Sequence, residues 1–303
     1  MRIIFMGTPE FAVPSLQILV ENDYEVVAVI TSTDKLGGRG GKQLLVSPVK
    51  KYAVEQGIPV LQPKNLKAAS FIENLKSYQA DLQIVVAFRM LPEVVWNMPP
   101  QGTINLHGSL LPKYRGAAPL NWAIINGDTE TGVTSFKLKH AIDTGDLILQ
   151  EKISIEPDDT AGTLHDKMKV VGAKVVLRTV QLIEKGNLEF SPQDPALVTK
   201  APKIFHRDCQ INFDNMGVRI LDFIRGLSPY PGAYTYLNGK ETKIYLAQHE
   251  KFLHKFEPGK FYTDNKNYLK ITCQDGAINI LDLKLSGKKR MDIKSFLNGY
   301  TIH

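Results

Sequence analysis

Asn105-Leu106-His107-Gly108-Ser109-Leu110-Leu111-Pro112-Lys113-Tyr114-Arg115-Gly116-Ala117-Ala118-Pro119 is the stretch on which the reading of this 303-residue chain turns. An apolar run leads into it, and it sets a carboxamide and an imidazole two residues apart. If Thr103–His107 ends a strand, the two-residue period puts Asn105 and His107 on one face and Leu106 on the other. The Gly- and Pro-rich residues that follow cannot continue a strand. The polar pair therefore stands at a strand's C-terminal end, where open α/β sheets build their sites.

Upstream, Arg2–Met6 reads as a strand, Gly7-Thr8-Pro9-Glu10 as a turn and Phe11–Val20 as a helix. Glu25–Thr31 is a β-branched run suited to a strand covered on both faces. The alternation continues through Pro48–Gln56, capped by Ser47, then Ile58–Leu61, Ala68–Gln79, Leu82–Ala87, Pro92–Met98 and Gly102–Leu106. It predicts a Rossmann-like, doubly wound, mostly parallel sheet. Downstream come a helix at Leu120–Asn126, strands at Thr131–Leu138 and Leu147–Ile155 around the turn Asp143-Thr144-Gly145-Asp146, and a long helix ending at Glu184. Gly7-Thr8-Pro9-Glu10-Phe11 lacks the three glycines of a dinucleotide fingerprint, which disfavours an NAD-linked dehydrogenase. Residues 32–47, with four glycines between 37 and 41, carry no period. They read either as a structureless surface connection or as a mobile arm in which Arg39 and Lys42 meet an anionic partner.

Charge divides the chain. Residues 1–200 hold 21 basic and 21 acidic residues, whereas residues 201–303 hold 16 basic and 10 acidic, so the whole net charge of +6 lies in the last third. This suggests a second domain facing a polyanion, or an excess that only aids solubility. We divide the chain at 1–188, a linker 189–205, and 206–303. The last part shows one clear helix, Met216–Arg225, among short β-prone runs, with Asn238-Gly239 as a hairpin signal. A small β-barrel of the OB (oligonucleotide-binding) type is expected there. No run reaches the roughly 18 apolar residues of a membrane span, and the N-terminal apolar run is too short for a signal peptide. Cys209 and Cys273 lie far apart, with no His or Cys at ligand spacing. They read as buried thiols of a cytoplasmic protein, with no metal required.

Asn105, His107 and Asp143 form the candidate constellation. An imidazole moves protons near neutral pH, a carboxamide suits a developing oxyanion, and a carboxylate can orient an imidazole. No Ser or Cys has an evident activating partner, so direct acyl transfer is favoured over a covalent acyl-enzyme. The same residues also suit plain structural duties, in a strand end and in an Asp-Thr-Gly-Asp turn.

The segment Ser109–Pro119, the run Asn121–Thr134, the turn Asp143–Asp146, the opening Met6–Pro14, Gly38-Arg39-Gly40, Ser47–Lys50 and Arg225–Ala233 together resemble the methionyl-tRNA formyltransferase family over nearly the whole chain. The resemblance implies transfer of a formyl group from 10-formyltetrahydrofolate to the α-amine of methionyl initiator tRNA. It further implies a formyltransferase fold followed by a tRNA-gripping barrel; separately, a monomer with no membrane partner is expected. Residue by residue, it implies catalysis by Asn105, His107 and Asp143. Folate binding falls to Ser109, Leu110, Leu111 and Pro112, and tRNA contact to Arg39 with Lys42 beside it. Rival expectations are a formyltransferase acting on glycinamide ribonucleotide or an amino sugar, and a tRNA-binding chaperone with an inactive first domain.

Overall fold

The computed structural model describes residues 1–37, 41 and 43–302. Arg2–Gly7 (β1), Glu25–Ile30 (β2), Val60–Leu61 (β3), Leu82–Val86 (β4), Thr103–His107 (β5), Glu130–Lys137 (β6) and Leu147–Ser154 (β7) form one sheet in the order β7-β6-β5-β4-β1-β2-β3. The pairs β1–β2, β1–β4, β2–β3 and β4–β5 are parallel; β6 runs antiparallel to β5. This is the mostly parallel, doubly wound sheet expected. Ile3, Ile4, Phe5 and Met6 are all buried, as an apolar run demands when helices cover both faces. Strand order reverses between β1 and β4, which makes the carboxyl ends of β1, β4 and β5 the switch-point crevice. Gly7 closes β1 there: a Cβ at this position would lie 2.8 Å from Ala12 Cβ and 3.1 Å from Val86 O.

The alternation in β5 falls as its spacing requires. Leu106 is buried and lies so close to the long helix Ala161–Glu184 that a Cβ on Gly172 would sit 2.7 Å from Leu106 Cδ2. Asn105 and His107 therefore face away from that helix. On the helix side, Ser135 and Thr179 join hydroxyls at 2.7 Å.

Glycine is obligatory at 145, within the turn that carries Asp143. A Cβ there would lie 1.6 Å from Lys137 O. Gly145→Ala is expected to cost about 3 kcal/mol or more, because backbone atoms cannot yield as a side chain can. Chemical denaturation of the variant checks this; an unchanged midpoint would show that the turn has room.

Among the described residues of 32–47, a short antiparallel pairing stands where the sequence shows no period. Lys35–Gly37 and Gln43–Leu45 form a short antiparallel hairpin, with Lys35 opposite Leu45 and Leu36 opposite Leu44. Its root is tied down by Lys50 Nζ, which reaches Asp34 Oδ2 at 2.5 Å and Gln62 Oε1 at 2.7 Å. The hydrogen bonds from Lys50, and then from Gln62, hold the Asp34 carboxyl below the usual range. Ser47 caps the following helix by accepting from Lys50 N, as its sequence position suggested.

Two compact units emerge: Met1–Gly116, Gly132–Ile153 and His165–Lys200 in one, and Ala117–Thr131, Ser154–Leu164 and Ala201–His303 in the other. The helix Pro119–Ile125, placed before position 188 by a contiguous division, thus groups with the C-terminal residues. Its side chains explain why: Asn121 Nδ2 donates to Gly226 O and Trp122 Nε1 to Pro202 O.

In the second unit Ala233–Leu237 (β8), Lys240–Lys251 (β9), Phe261–Thr263 (β10), Leu269–Cys273 (β11), Gly276–Leu285 (β12) and Met291–Asp292 (β13) make an antiparallel sheet. Its order is β8-β9-β12-β11-β10, with β13 on β12. It is a half-barrel, the partly open form of the small barrel expected. Register shifts between Ile244 and Ala247 bend β9 against β12. Asn238 and Gly239 both have positive φ, as a tight two-residue hairpin requires. Ile220, Ile224 and Leu227 of the helix Gly217–Leu227 pack onto Ile244, Ile271 and Ile280 of the sheet. Among the described residues, no helix is long and apolar enough to cross a membrane.

Candidate active site

Asn105, His107 and Asp143 all lie in the first unit, and the structure brings the last two together. His107 and Asp143 are both buried, with His107 Nδ1 and Asp143 Oδ2 at 3.8 Å. That separation suits an ion pair and is too long for a direct hydrogen bond. The ring's orientation is set elsewhere: His107 Nε2 lies 2.9 Å from Tyr114 O. A carbonyl oxygen only accepts, so Nε2 carries the hydrogen. In the neutral ring Nδ1 then turns a lone pair toward the carboxylate; in the protonated ring it turns a donor there. The direct hydrogen bond to the imidazole thus runs to main-chain Tyr114, with the Asp143 carboxylate facing the other ring nitrogen.

Asp143 is fixed in turn by Gly116, whose N–H donates to Oδ2 at 2.9 Å. Asp143 has φ +54, a left-handed conformation that few non-glycine residues adopt. Tyr114 shares it, with φ +59. Such backbone persists only where its surroundings determine it.

Asn105 is half-buried and, among the described residues, its side chain has no hydrogen-bond partner. Its neighbours across the sheet are Val85 and Phe136, neither of which can satisfy an amide. A carboxamide left open beside an imidazole–carboxylate pair, at the carboxyl end of a central strand, can donate to an oxygen that gains charge.

The segment Ser109–Pro112 forms a wall beside this group. Ser109 is fully buried; its hydroxyl donates to Lys113 O at 2.6 Å and its carbonyl accepts from Thr134 Oγ1 at 2.6 Å. Leu111 N donates to Thr134 Oγ1, and Leu111 O accepts from Gln150 Nε2. Ser109, Leu111 and Pro112 are buried, and Leu110 is the half-buried member. Thr134 and Gln150, which hold this wall, escaped the sequence reading because nothing local marks them. Arg39 and Lys42 lie outside the described residues. The described residues Leu36, Leu44 and Leu45 of the hairpin are exposed.

A cavity of about 450 Å³, lined by Lys76, Gln79, Asp81 and Gln83 among others, opens near the amino ends of the strands, away from this chemistry. In the second unit the fold brings His249 and Asp275 to Cys273, a proximity that sequence spacing did not show. Asp275 Oδ1 lies 3.2 Å from His249 Nε2 and 3.7 Å from Cys273 Sγ, and it accepts from Gly217 N at 2.7 Å. The trio pins the start of a helix to the half-barrel, and burial pushes the Cys273 thiol up.

Residues 1–180 match the family described as formyl transferase, and residues 203–301 match the formyl transferase C-terminal domain. A methionyl-tRNA formyltransferase from Parabacteroides distasonis is 53% identical over 310 residues, covering 99% of this chain and 96% of that protein. The chain belongs to the methionyl-tRNA formyltransferase family. A second family member, from Bacteroides fragilis, is 50% identical over 309 residues, covering 99% of this chain and 95% of its own length. HypX from Aquifex aeolicus, solved in complex with tetrahydrofolic acid, superposes with a TM-score of 0.67 at 20% identity. It covers 98% of this chain and 47% of its own, a likeness of fold. The methionyl-tRNA formyltransferase family thus covers both parts of the chain, residues 1–180 and residues 203–301.

Proposed function

We propose that this chain formylates the α-amino group of methionyl initiator tRNA, taking the formyl group from 10-formyltetrahydrofolate, at Asn105, His107 and Asp143. The observation that carries the reading is the Asn105 carboxamide, without a hydrogen-bond partner among the described residues, on the strand face that also carries His107 of the buried His107–Asp143 pair, in a chain of this family. The co-substrate supplies an activated formyl group, which the methionyl amine accepts as tetrahydrofolate departs. Asn105 donates a hydrogen bond to the formyl oxygen as that oxygen gains charge. His107, with Nε2 committed to Tyr114 O, has Nδ1 left to hold or pass a proton, and Asp143 steadies the charged ring across 3.8 Å. The wall Ser109–Pro112 offers Leu110 as its accessible apolar face to the folate. Selection of initiator over elongator tRNA tests the reading. Charged initiator tRNA should be formylated far faster than charged elongator methionyl-tRNA, and equal rates would contradict it.

Arg39 and Lys42 contact tRNA phosphates in this reading, while the basic residues of 206–303 steady the rest of the RNA. Arg39→Ala should weaken tRNA binding and lower the slope of log K against log salt by about 0.7–0.9, one phosphate contact. Filter binding across a salt series measures it; an unchanged slope would remove Arg39 from the interface. The chain acts as a monomer in the cytoplasm, where free thiols such as Cys209 and Cys273 persist.

A further inference from the structure

We propose that Gln193 is a positioning residue for Asp143, acting from the segment that the sequence reads as linker. This rests on the assignment of Asp143 to the active site. Gln193 Nε2 donates to Asp143 O at 2.9 Å and to Gly145 O at 2.7 Å. Its Oε1 accepts twice from Arg115, at 3.0 Å from Nε and 2.6 Å from the terminal nitrogen. A guanidinium only donates, so the amide's orientation is fixed, with its NH2 facing the two carbonyls.

The residues around Arg115 give this network its meaning. Tyr114 O receives His107 Nε2, and Gly116 N holds the Asp143 carboxylate. Three consecutive residues thus touch the imidazole, the carboxylate and, through Gln193, the backbone that carries the carboxylate. Asp143 is held at both ends from one short strip, by its Oδ2 and by its carbonyl. The strip is itself anchored: Arg115 N donates to Thr199 O, and Tyr114 N donates to Thr199 Oγ1. Ser191 pairs its N–H and carbonyl with those of Leu147, at 3.0 and 2.8 Å, which lays Gln193 against the turn. The turn depends on this help. Asp143 sits at φ +54, a costly conformation for an aspartate to hold unaided. Its neighbour Thr144 spends its hydroxyl on Ala141 O. Without Gln193, the carbonyls of 143 and 145 lose their side-chain donor and Asp143 can drift from the imidazole.

Gln193→Leu keeps the volume and removes all four hydrogen bonds; Gln193→Glu keeps the acceptor but cannot donate to the carbonyls when ionised. Both should lower kcat about tenfold or more, since small misplacements of a catalytic group carry penalties up to about 100-fold. KM for methionyl-tRNA and for 10-formyltetrahydrofolate should stay within about twofold. The deciding measurement is a double-mutant cycle with Asp143→Asn, on full-length protein whose folding is confirmed by circular dichroism. If Gln193 acts through Asp143, Gln193→Leu should cost little in the Asp143→Asn background. A full multiplicative loss, wild-type kcat in both Gln193 variants, or a rise in KM alone would overturn the role of Gln193. Wild-type kcat in Asp143→Asn itself would overturn the active-site assignment beneath it.

Discussion

Asn105→Ala is expected to lower kcat about 100- to 1,000-fold, the range found when one oxyanion donor is removed from a preorganised site. The variant should fold normally. Asn105 gives up no internal hydrogen bond when truncated, because its amide has no partner among the described residues, and it is only half-buried. Stability and rate should therefore separate: a denaturation midpoint near wild type with most of the turnover gone. KM for tRNA should change little, since a donor to the developing charge binds the transition state more than the ground state. Initial rates and a denaturation curve on the same preparation make the test. A rate within threefold of wild type would remove Asn105 from the chemistry.

His107→Ala should be slower still or comparable, with a loss of about 100- to 10,000-fold for removing a positioned proton carrier. Here the fold is expected to suffer as well. His107 is buried, and its Nε2 satisfies Tyr114 O, so truncation leaves a buried carbonyl without that donor at a cost of about 1–3 kcal/mol. His107→Asn or Gln, which can return a donor, should recover stability without recovering rate. If such a variant regained both, hydrogen bonding to Tyr114 would be the whole duty of His107, and proton transfer would lie elsewhere.

Much of the fold was legible because its signals are local. Alternation across Thr103–His107 put Leu106 toward the helix and Asn105 with His107 on the other face. Ser47 announced a cap, and Asn238-Gly239 announced a hairpin through the positive φ that both residues adopt. The hairpin in residues 32–47 was not legible, since clustered glycines erase the period-two pattern that pairing of Lys35 with Leu45 would otherwise show. Nor was the short helix Ile293–Leu297, despite its Asp292 cap. The grouping of Pro119–Ile125 with the C-terminal unit depends on contacts about 100 residues apart in sequence, such as Asn121 with Gly226.

The candidate site divides in the same way. Asn105, His107 and Asp143 stand out as residue types in a pattern. What holds them does not: Tyr114 O and Gly116 N are main-chain atoms, which carry no compositional signal. Gln193 lies between prolines in a stretch whose punctuation reads as linker. Only tertiary structure shows that its amide reaches the Asp143 turn.

The most direct measurement offers the purified chain 10-formyltetrahydrofolate labelled in the formyl carbon, together with methionyl initiator tRNA, free methionine, glycinamide ribonucleotide and an amino sugar. The expected result is label on the methionine amine of the tRNA alone, released by mild ester hydrolysis as N-formylmethionine, and abolished by Asn105→Ala with His107→Ala. Label on the ribonucleotide or the sugar, or transfer to methionyl-tRNA that survives the double substitution, would contradict it.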